Sequence, residues 1–252
     1  MNATSLTEQP LLTIVICTYN AEIHLAECIA TIAPQKTSHI KLHIIDGNST
    51  DSTLSIIKSN SSVVDYWRSE KDSGVYDAMN KSLTNIESGW VLYLGADDRL
   101  MPNIASRLIK ILQTQPAETT VYYGDVYRPA SNTIYDGKFS KIKMMRRNIC
   151  QQAILYPRAA LSKYNFDTTF PINADHILNI NLFFDSSIRK EYIPICISYY
   201  EDILEGISRD RFDIKLLSKR KQLALENHQY LPWAIACIID TKEWIKKKFK
   251  KK

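Results

Sequence analysis

An alternation of apolar runs with helix-patterned segments over residues 11–100 constrains the fold more than any other feature of the chain. The runs are LLTIVICT (11–18), IKLHIID (40–46), VVDYWRSE (63–70) and GWVLYL (89–94), and they are short and rich in β-branched and aromatic residues. Such runs are typical of strands in a sheet that is covered on both faces. The sequence therefore predicts four strands in the first 100 residues.

The segments between these runs carry the pattern of amphipathic helices. Apolar residues fall broadly on one side of a helix over 21–33, and Val75, Met79 and Leu83 recur at helical spacing within 74–86. Strands that alternate with helices form βαβ units in a largely parallel sheet. The expected fold class is therefore α/β, and ligands are expected at the carboxyl ends of the strands.

The second half of the chain has a looser pattern. The 252 residues, 45% hydrophobic and 23% charged, suffice for one large domain or for one core with an appendage. Helices are predicted over 103–113 and 174–184, a strand over 120–128, and one or two strands over 189–200.

Polar and acidic loops follow the predicted strands. The segments CTYN (17–20), DGNSTD (46–51), SEKDSGVYDAMN (69–80) and GADD (95–98) are expected at one edge of the sheet. That edge would carry six carboxylates: Asp46, Asp51, Glu70, Asp72, Asp97 and Asp98. Like charges repel, so the cluster favours a bound cation, and carboxylate oxygens suit Mg²⁺ or Mn²⁺ together with a diphosphate. The alternative for an isolated acidic pair is a solvated turn.

Four segments in order resemble the motifs of family 2 glycosyltransferases, which have the GT-A fold. They are TIVICTYNAEIHLAECIATI, IIDGNSTDSTLSII, SEKDSGVYDAMNKSL and GWVLYLGADDRL. Two later segments, CQQAILYPRAAL and FPINADHILNINLF, resemble acceptor-side segments of bacterial polysaccharide-assembling members. The resemblance implies a Rossmann-like, mostly parallel sheet flanked by helices. It assigns 1–100 to a nucleotide-sugar half, 101–205 to an acceptor half and 206–252 to a helical tail.

The same resemblance implies roles for individual residues. The nucleotide-binding set would be Thr18, Tyr19, Asn20, Asp46, Asp72 and Asp97. Asp97 would also bind the metal with Asp98 beside it, and Asp175 would be the catalytic base. Weaker matches, as contacts of the acceptor or donor sugar, are Gln151, Gln152 and His176. The alternative for His176 is an outward-facing position on its helix.

Two positions depart from the family's pattern. The usual metal motif begins with an aspartate two residues before Asp97, and Gly95 stands there instead. Gln151 stands where related sequences often have a histidine. Asp175 has a second interpretation, because acidic residues are favoured in the first turn of a helix, here one that Asn173 is expected to cap.

The reaction that the resemblance implies is an inverting transfer, of the hexosyltransferase type, from a nucleoside-diphosphate sugar. The expected donor is a UDP-sugar, and the expected acceptor is a hydroxyl of a lipid-linked glycan in surface polysaccharide synthesis. Mn²⁺ or Mg²⁺ would offset the charge that develops on the diphosphate. A carboxylate within hydrogen-bond reach would take the proton of the acceptor hydroxyl.

The C-terminal segment, YLPWAIACIIDTKEWIKKKFKKK (230–252), predicts contact with a membrane surface. A helix is expected from about residue 210, with a break at Pro232. The apolar stretch is too short to span a bilayer, but tryptophans suit its interface and lysines suit anionic lipid. The expected membrane residues are Trp233, Trp244, Lys246, Lys247 and Lys248. A solvated basic end beyond a packed helix is the alternative.

Charge and cysteine content bear on location and partners. The net charge is +5, and six lysines lie in 246–252, so the rest of the chain is about neutral and no nucleic-acid partner is expected. Five cysteines without a CxxC pair, and an N-terminus MNATSLTEQP without a signal pattern, indicate a cytoplasmic protein. Together with the basic tail, this predicts a place on the inner face of the membrane.

Other function classes remain as alternatives. Because of Gly95, a non-catalytic nucleotide-sugar-binding protein is the main one. A nucleotidyltransferase would need a basic, glycine-rich loop, which CTYNAE (17–22) does not offer. GxGxxG, P-loop and GxSxG motifs are absent, which argues against dinucleotide, P-loop and elbow-type hydrolase chemistry. His39 and His43 lack an evident third ligand for a metal.

Overall fold

A computed structural model describes residues 10–114, 119–200 and 214–249, with the side chains of residues 214, 239 and 242–249 outside that description. Over these ranges the chain forms nine strands and nine α-helices, which confirms the predicted α/β class. The strands are β1 (Leu12–Thr18), β2 (Ile40–Asp46), β3 (Tyr66–Ser69), β4 (Trp90–Gly95), β5 (Arg99–Leu100), β6 (Thr120–Arg128), β7 (Thr133–Tyr135), β8 (Ile154–Pro157) and β9 (Arg189–Tyr199). The helices are α1 (Leu25–Ile32), α2 (Thr53–Ser59), α3 (Val75–Ser82), α4 (Ile104–Thr114), α5 (Lys141–Met144), α6 (Arg158–Lys163), α7 (Ala174–Phe184), α8 (Ile214–Glu226) and α9 (Tyr230–Phe249).

The first half of the chain forms the parallel part of the sheet, in the order β3-β2-β1-β4. Thr18 at the end of β1 pairs with Asp46 at the end of β2. Cys17 pairs with Gly95 at the end of β4. The carboxyl ends of these three strands are therefore level, and the polar loops that follow them meet at one edge.

The second half continues the same sheet, in the order β8-β6-β9-β5, with β7 beside β6. Strand β8 is antiparallel to both β4 and β6, and β6 is parallel to β9. Trp90 and Val91 of β4 pair with Pro157 and Tyr156 of β8. Strand β8 therefore joins the two halves into one continuous sheet.

Side chains that alternate along each strand build a core on each face of the sheet. On β4, Trp90 and Leu92 belong to one apolar cluster, while Val91 and Tyr93 belong to the other. Helices α1, α2 and α4 cover the first face, and α3, α5, α6, α7, α8 and α9 cover the second. Burial on both faces explains why the strands read as continuous apolar runs.

The C-terminal helices pack against the body of the protein. Helix α8 contacts α7 and α9, and α9 also contacts α5. Ala224 of α8 and Ala236 of α9 are completely buried. A buried ion pair joins Arg220 of α8 to Asp240 of α9. Among the described residues, no helix has both the length and the apolarity to cross a membrane.

The structure moves two predicted boundaries and decides the number of strands near residue 190. Strand β3 begins at Tyr66 because Val63 and Val64 instead donate their N–H groups to the Asn60 carbonyl in a turn. Residues 189–199 form a single strand. The break between α8 and α9 falls before Tyr230, and Pro232 lies in the first turn of α9, where a missing N–H costs no helical hydrogen bond. All five cysteines are free thiols.

Candidate active site

The loops after β1 and β2 are tied together around Asp46. This carboxylate is completely buried. It accepts hydrogen bonds from the hydroxyls of Thr18, Ser49 and Ser69 and from the Ser49 N–H. Four donors satisfy both oxygens, so Asp46 organises this corner of the site. A direct contact between Asp46 and a base or ribose stays a prediction.

Asn20 links the first loop to the second. Its backbone N–H donates to the Ser49 hydroxyl at 2.8 Å, and its side-chain carbonyl accepts the Thr50 N–H at 2.9 Å. The neighbouring Tyr19 is 67% exposed. A rigid turn therefore presents an aromatic ring at the carboxyl edge of the sheet, where a nucleoside is expected.

Asp72 lies against the glycine that follows Asp46. A Cβ atom built on Gly47 would come within 2.6 Å of a carboxylate oxygen of Asp72. The other oxygen of Asp72 accepts the Gly74 N–H at 2.9 Å. Burial, and to a smaller extent the Asp72 charge, raises the pKa of the Cys17 thiol, so that thiol stays protonated at the edge of the site.

The two carboxylates of GADD have different surroundings. Asp98 is 3% exposed, and its Oδ2 accepts the Gly95 N–H at 3.0 Å. Asp97 is exposed and makes no hydrogen bond or ion pair within the described part of the chain. Asp97 is therefore the member of the pair that is available to a ligand, whereas Asp98 shapes the turn that presents it.

Gly95 leaves room for both carboxylates of this turn. A Cβ atom at position 95 would lie 2.6 Å from an Asp98 oxygen and 2.7 Å from an Asp97 oxygen. Real Cβ atoms essentially never make contacts below 3.0 Å. A side chain at this position, such as the aspartate of the usual family motif, would require the Asp97 and Asp98 carboxylates to shift.

The candidate metal ligands fit a cation only together with a substrate. Over the described ranges, no group of three or more His, Cys, Asp or Glu side chains could hold a metal ion. Asp97 offers one exposed carboxylate, and Mg²⁺ is often bound by one or two carboxylates plus substrate phosphates. The site therefore fits a cation that arrives with a diphosphate better than a resident structural metal.

Two side chains from distant segments hold the carboxylate of Asp175. The Tyr76 hydroxyl donates to Oδ1 at 2.8 Å, and the Asn148 amide donates to Oδ2 at 2.6 Å. Burial, and next the Asp175 charge, raises the pKa of Tyr76, so the phenol remains a donor. Asp175 lies in the first turn of α7. Asn173 occupies the N-cap position with a φ of 76° but makes no side-chain capping bond.

A chain of hydrogen bonds supports Asn148. Its carbonyl oxygen accepts from the Asn179 amide at 2.8 Å, and Asn179 accepts from the Tyr156 hydroxyl at 3.0 Å. The Tyr135 hydroxyl donates to the backbone carbonyl of Asn148 at 3.0 Å. These contacts fix which Asn148 atom faces Asp175, because its carbonyl oxygen is already occupied.

Asp97, Asp98 and Asp175 line one cleft of about 630 Å³. The three weaker candidates, Gln151, Gln152 and His176, line it as well. The Gln151 amide contacts the Met79 sulfur at 3.2 Å. His176 is 5% exposed and its Nε2 lies 2.7 Å from the Met144 carbonyl, so it does not face outward, and burial lowers its pKa.

Sequence reasoning missed Tyr76 and Asn148 as parts of the site. Tyr76 lies inside SEKDSGVYDAMN, a segment that the sequence places at the edge of the site, but no pattern indicates its contact with Asp175. Asn148 lies in a polar segment without periodicity, and no local pattern reveals its contact with Asp175. Three arginines of the cleft, Arg128, Arg146 and Arg147, were also missed.

Comparisons with known proteins show the family and the fold of the chain. A family model described as Glycosyl transferase family 2 matches residues 13–173. A PGL/p-HBAD biosynthesis glycosyltransferase of Mycobacterium bovis (strain BCG / Pasteur 1173P2) is 29% identical over 215 residues, which are 83% of this chain and 84% of that protein. An uncharacterized glycosyltransferase of Rickettsia bellii (strain RML369-C) is 26% identical over 195 residues, which are 71% of this chain and 28% of that protein.

Two solved structures share the fold. S. aureus TarS 1–349 in complex with UDP-GlcNAc has a TM-score of 0.70 and 13% identity, covering 85% of this chain and 66% of that one. The mannosyltransferase PcManGT from Pyrobaculum calidifontis, in complex with GDP-Man and Mn²⁺, has a TM-score of 0.60 and 16% identity. That match covers 92% of this chain and 74% of PcManGT. Both likenesses confirm the predicted GT-A architecture.

Proposed function

Because the chain belongs to family 2 of the glycosyltransferases, we propose that it is an inverting, metal-dependent enzyme that moves a sugar from a UDP-sugar to an acceptor hydroxyl. The observation that carries this proposal is the placement of Asp175. Its carboxylate is held by Tyr76 and Asn148 in the same cleft that Asp97 lines. A proton acceptor and a candidate cation ligand therefore share one cavity.

The donor is assigned to the edge formed by the loops after β1, β2 and β4. Exposed Tyr19 offers a ring for the base, and the turn at Asn20 is fixed by two hydrogen bonds to the second loop. TarS 1–349, whose fold this chain shares, was solved with UDP-GlcNAc. That likeness supports a nucleoside-diphosphate sugar, and UDP is the nucleotide that we propose.

Asp175 serves as the general base. A hydroxyl has a pKa far above 7, so its attack on the sugar needs a proton acceptor within hydrogen-bond reach. Tyr76 and Asn148 occupy one oxygen each and hold the carboxylate in a single orientation. Each carboxylate oxygen has a second lone pair for the acceptor hydroxyl. A single direct displacement then inverts the anomeric carbon.

Asp97 serves as the protein's ligand to Mn²⁺ or Mg²⁺. The cation, when bound, would stabilise the negative charge that develops on the diphosphate leaving group. PcManGT was solved with GDP-Man and Mn²⁺, which supports the use of a metal ion. Asp98 remains a second candidate ligand, although it is buried against Gly95.

The acceptor is proposed to be a lipid-linked glycan that the protein meets at the inner surface of the membrane, in surface polysaccharide synthesis. Helix α9 exposes Tyr230, Leu231 and Ile238, which supports contact with lipid. Trp233, in contrast, packs partly against the core. The side chains of Trp244, Lys246, Lys247 and Lys248 lie outside the described residues, and their membrane role stays a prediction.

The test uses purified full-length protein with UDP- and GDP-sugars, Mn²⁺ and a bacterial glycolipid extract. Asp175→Asn should abolish sugar transfer while UDP binding by calorimetry stays within about twofold of wild type. Glu87→Gln is a matched control, because Glu87 is exposed at the opposite end of β4. Equal transfer by wild type and Asp175→Asn would remove Asp175 from this role. UDP binding without transfer to any extract component would favour a non-catalytic binding protein.

A further inference from the structure

Three arginines line the same cleft as Asp175. Arg128 is the last residue of β6, and Arg146 and Arg147 follow α5. Together they form a cationic surface that the reaction described above does not use, and it is called the arginine wall below.

The charge of the arginine wall is only partly balanced. Arg147 forms an ion pair with Asp136 at 3.0 Å. Arg128 and Arg146 have no carboxylate within 4.0 Å in the described part of the chain. A fourth arginine of the cleft, Arg220, is already paired with Asp240. Within the described ranges, no ion pair therefore neutralises these two guanidinium groups.

Aromatic rings hold Arg128 in place. Its guanidinium carbon lies 4.1 Å from the centre of the Tyr135 ring and 5.4 Å from that of Tyr200. The Arg147 guanidinium lies 5.4 Å from the same Tyr135 ring. A stacked guanidinium still presents its N–H groups in its plane, which suits the oxygens of a phosphate, and its restricted motion lowers the entropy lost on binding.

The Nε atom of Arg128 also supports anion binding by the arginine wall. It is buried and has no hydrogen-bond partner among the described residues. An unsatisfied buried donor is costly, and an anion bound within hydrogen-bond distance of Nε would relieve that cost. The arginine wall thus has the charge, the preorganisation and a free donor that an anion site needs.

The position of the wall indicates which substrate supplies the anion. The donor edge is built from the loops after β1, β2 and β4, whereas the wall comes from β6 and the segment between β7 and β8. That segment also carries Asn148, which contacts Asp175. Since Asp175 is the proposed base for the acceptor hydroxyl, we propose that the arginine wall binds a phosphate group of the acceptor. This inference rests on the function proposed above.

The test is calorimetric titration of octyl phosphate into full-length protein that is saturated with UDP and Mn²⁺. Wild type should bind this phosphate monoester and should not bind octanol. Arg128→Gln and Arg146→Gln should each weaken binding at least tenfold and leave the Kd for UDP within about twofold. Arg107→Gln, an exposed arginine on α4 outside the cleft, removes the same charge and should have no effect.

Three results would overturn the inference: no octyl phosphate binding by wild type, competition between octyl phosphate and UDP, or loss of UDP affinity in the arginine variants. The last two would assign the wall to the donor diphosphate. Arg146 is exposed, so Arg146→Gln remains informative if Arg128→Gln unfolds. Failure of wild type to bind UDP would count against the proposed function instead. Titration of octyl phosphate without UDP would then still show whether the arginine wall binds a phosphate.

Discussion

The Tyr76 hydroxyl lies 2.8 Å from the Asp175 carboxylate, although 99 residues separate them in the sequence. The Tyr76 ring stacks on Phe166, with 5.6 Å between ring centres and 20° between their planes. The phenol is therefore held in position before substrate binds. This contact joins the helix after β3 to the helix that carries the proposed base, so it spans the two halves of the chain.

Tyr76→Phe should lower kcat about tenfold, equivalent to about 1.4 kcal/mol, and leave the KM for the donor nearly unchanged. The variant keeps the ring and its stacking but removes one of the two hydrogen bonds that fix the orientation of the Asp175 carboxylate. Steady-state release of UDP measures both constants. Tyr164→Phe is the matched control, because it removes a tyrosine–aspartate bond of 3.1 Å to Asp185 outside the cleft. An unchanged kcat in Tyr76→Phe would show that orientation of Asp175 by Tyr76 is unimportant.

Asp97 and Asp98 should respond differently to replacement. Asp97→Ala should weaken Mn²⁺-dependent UDP binding at least tenfold without changing Tm, because the side chain is exposed. Asp98→Ala should lower stability by about 1–3 kcal/mol, because it leaves the Gly95 N–H without its acceptor. Calorimetry with and without Mn²⁺ and thermal unfolding separate the two effects. Metal-independent UDP binding in wild type would contradict the assignment of Asp97.

Gly95→Ala should lower both Tm and UDP affinity, since the new Cβ would press on the Asp97 and Asp98 carboxylates. Gly95→Asp should do the same and should not improve metal binding. A double variant, Gly95→Ala with Asp97→Ala, removes one of the two contacts and should recover part of the Tm. If Gly95→Asp bound Mn²⁺ and UDP more tightly than wild type, the turn would be more adaptable than its geometry implies.

Stability should fall as the pH drops below about 6.5. Burial lowers the pKa of His43 and of His176 below the ordinary histidine value of 6.5. Below that pH the unfolded chain binds protons that the folded chain does not, so the free energy of unfolding decreases with falling pH. His176→Gln should reduce the Tm difference between pH 7.5 and pH 5.5, whereas His228→Gln, at an exposed histidine, should not. An equal pH dependence in all three proteins would exclude this origin.

Binding to anionic vesicles should depend on the basic end of α9. The substitutions Lys246→Gln, Lys247→Gln and Lys248→Gln, made together, should lower the affinity for phosphatidylserine vesicles about 100-fold at low salt, as measured by co-sedimentation. Each lysine near an anionic surface contributes about 1 kcal/mol to binding. Substitution is preferable to deletion of 231–252, because Ala236 is buried and Asp240 pairs with Arg220.

A second triple variant controls for net charge in the vesicle experiment. Lys58, Lys71 and Lys110 are exposed on the body of the protein, and their replacement by glutamine removes the same three charges. This variant should bind vesicles as wild type does. Equal losses in both triple variants would indicate a general charge effect, and no loss in either would remove the membrane role of the tail.

The first half of the fold could be predicted because its signals are local. Each buried strand is a continuous apolar run, and each run ends in a polar loop, so the meeting of Thr18, Asp46 and Asp97 at one edge follows from parallel pairing alone. The second half lacks such signals. The contacts of Asp175 with Tyr76 and Asn148 join segments of different elements, and pairing of β8 with both β4 and β6 depends on tertiary packing that periodicity does not encode.

Strand β8 limits how this protein can change by recombination. It belongs to the C-terminal half, yet it completes the hydrogen bonding of Trp90 and Val91 in the N-terminal half. A crossover near residue 100 between two related genes would pair β4 from one protein with β8 from the other. Exchange of whole halves between relatives would therefore disturb this pairing, whereas substitutions within the loops around the cleft would leave it intact.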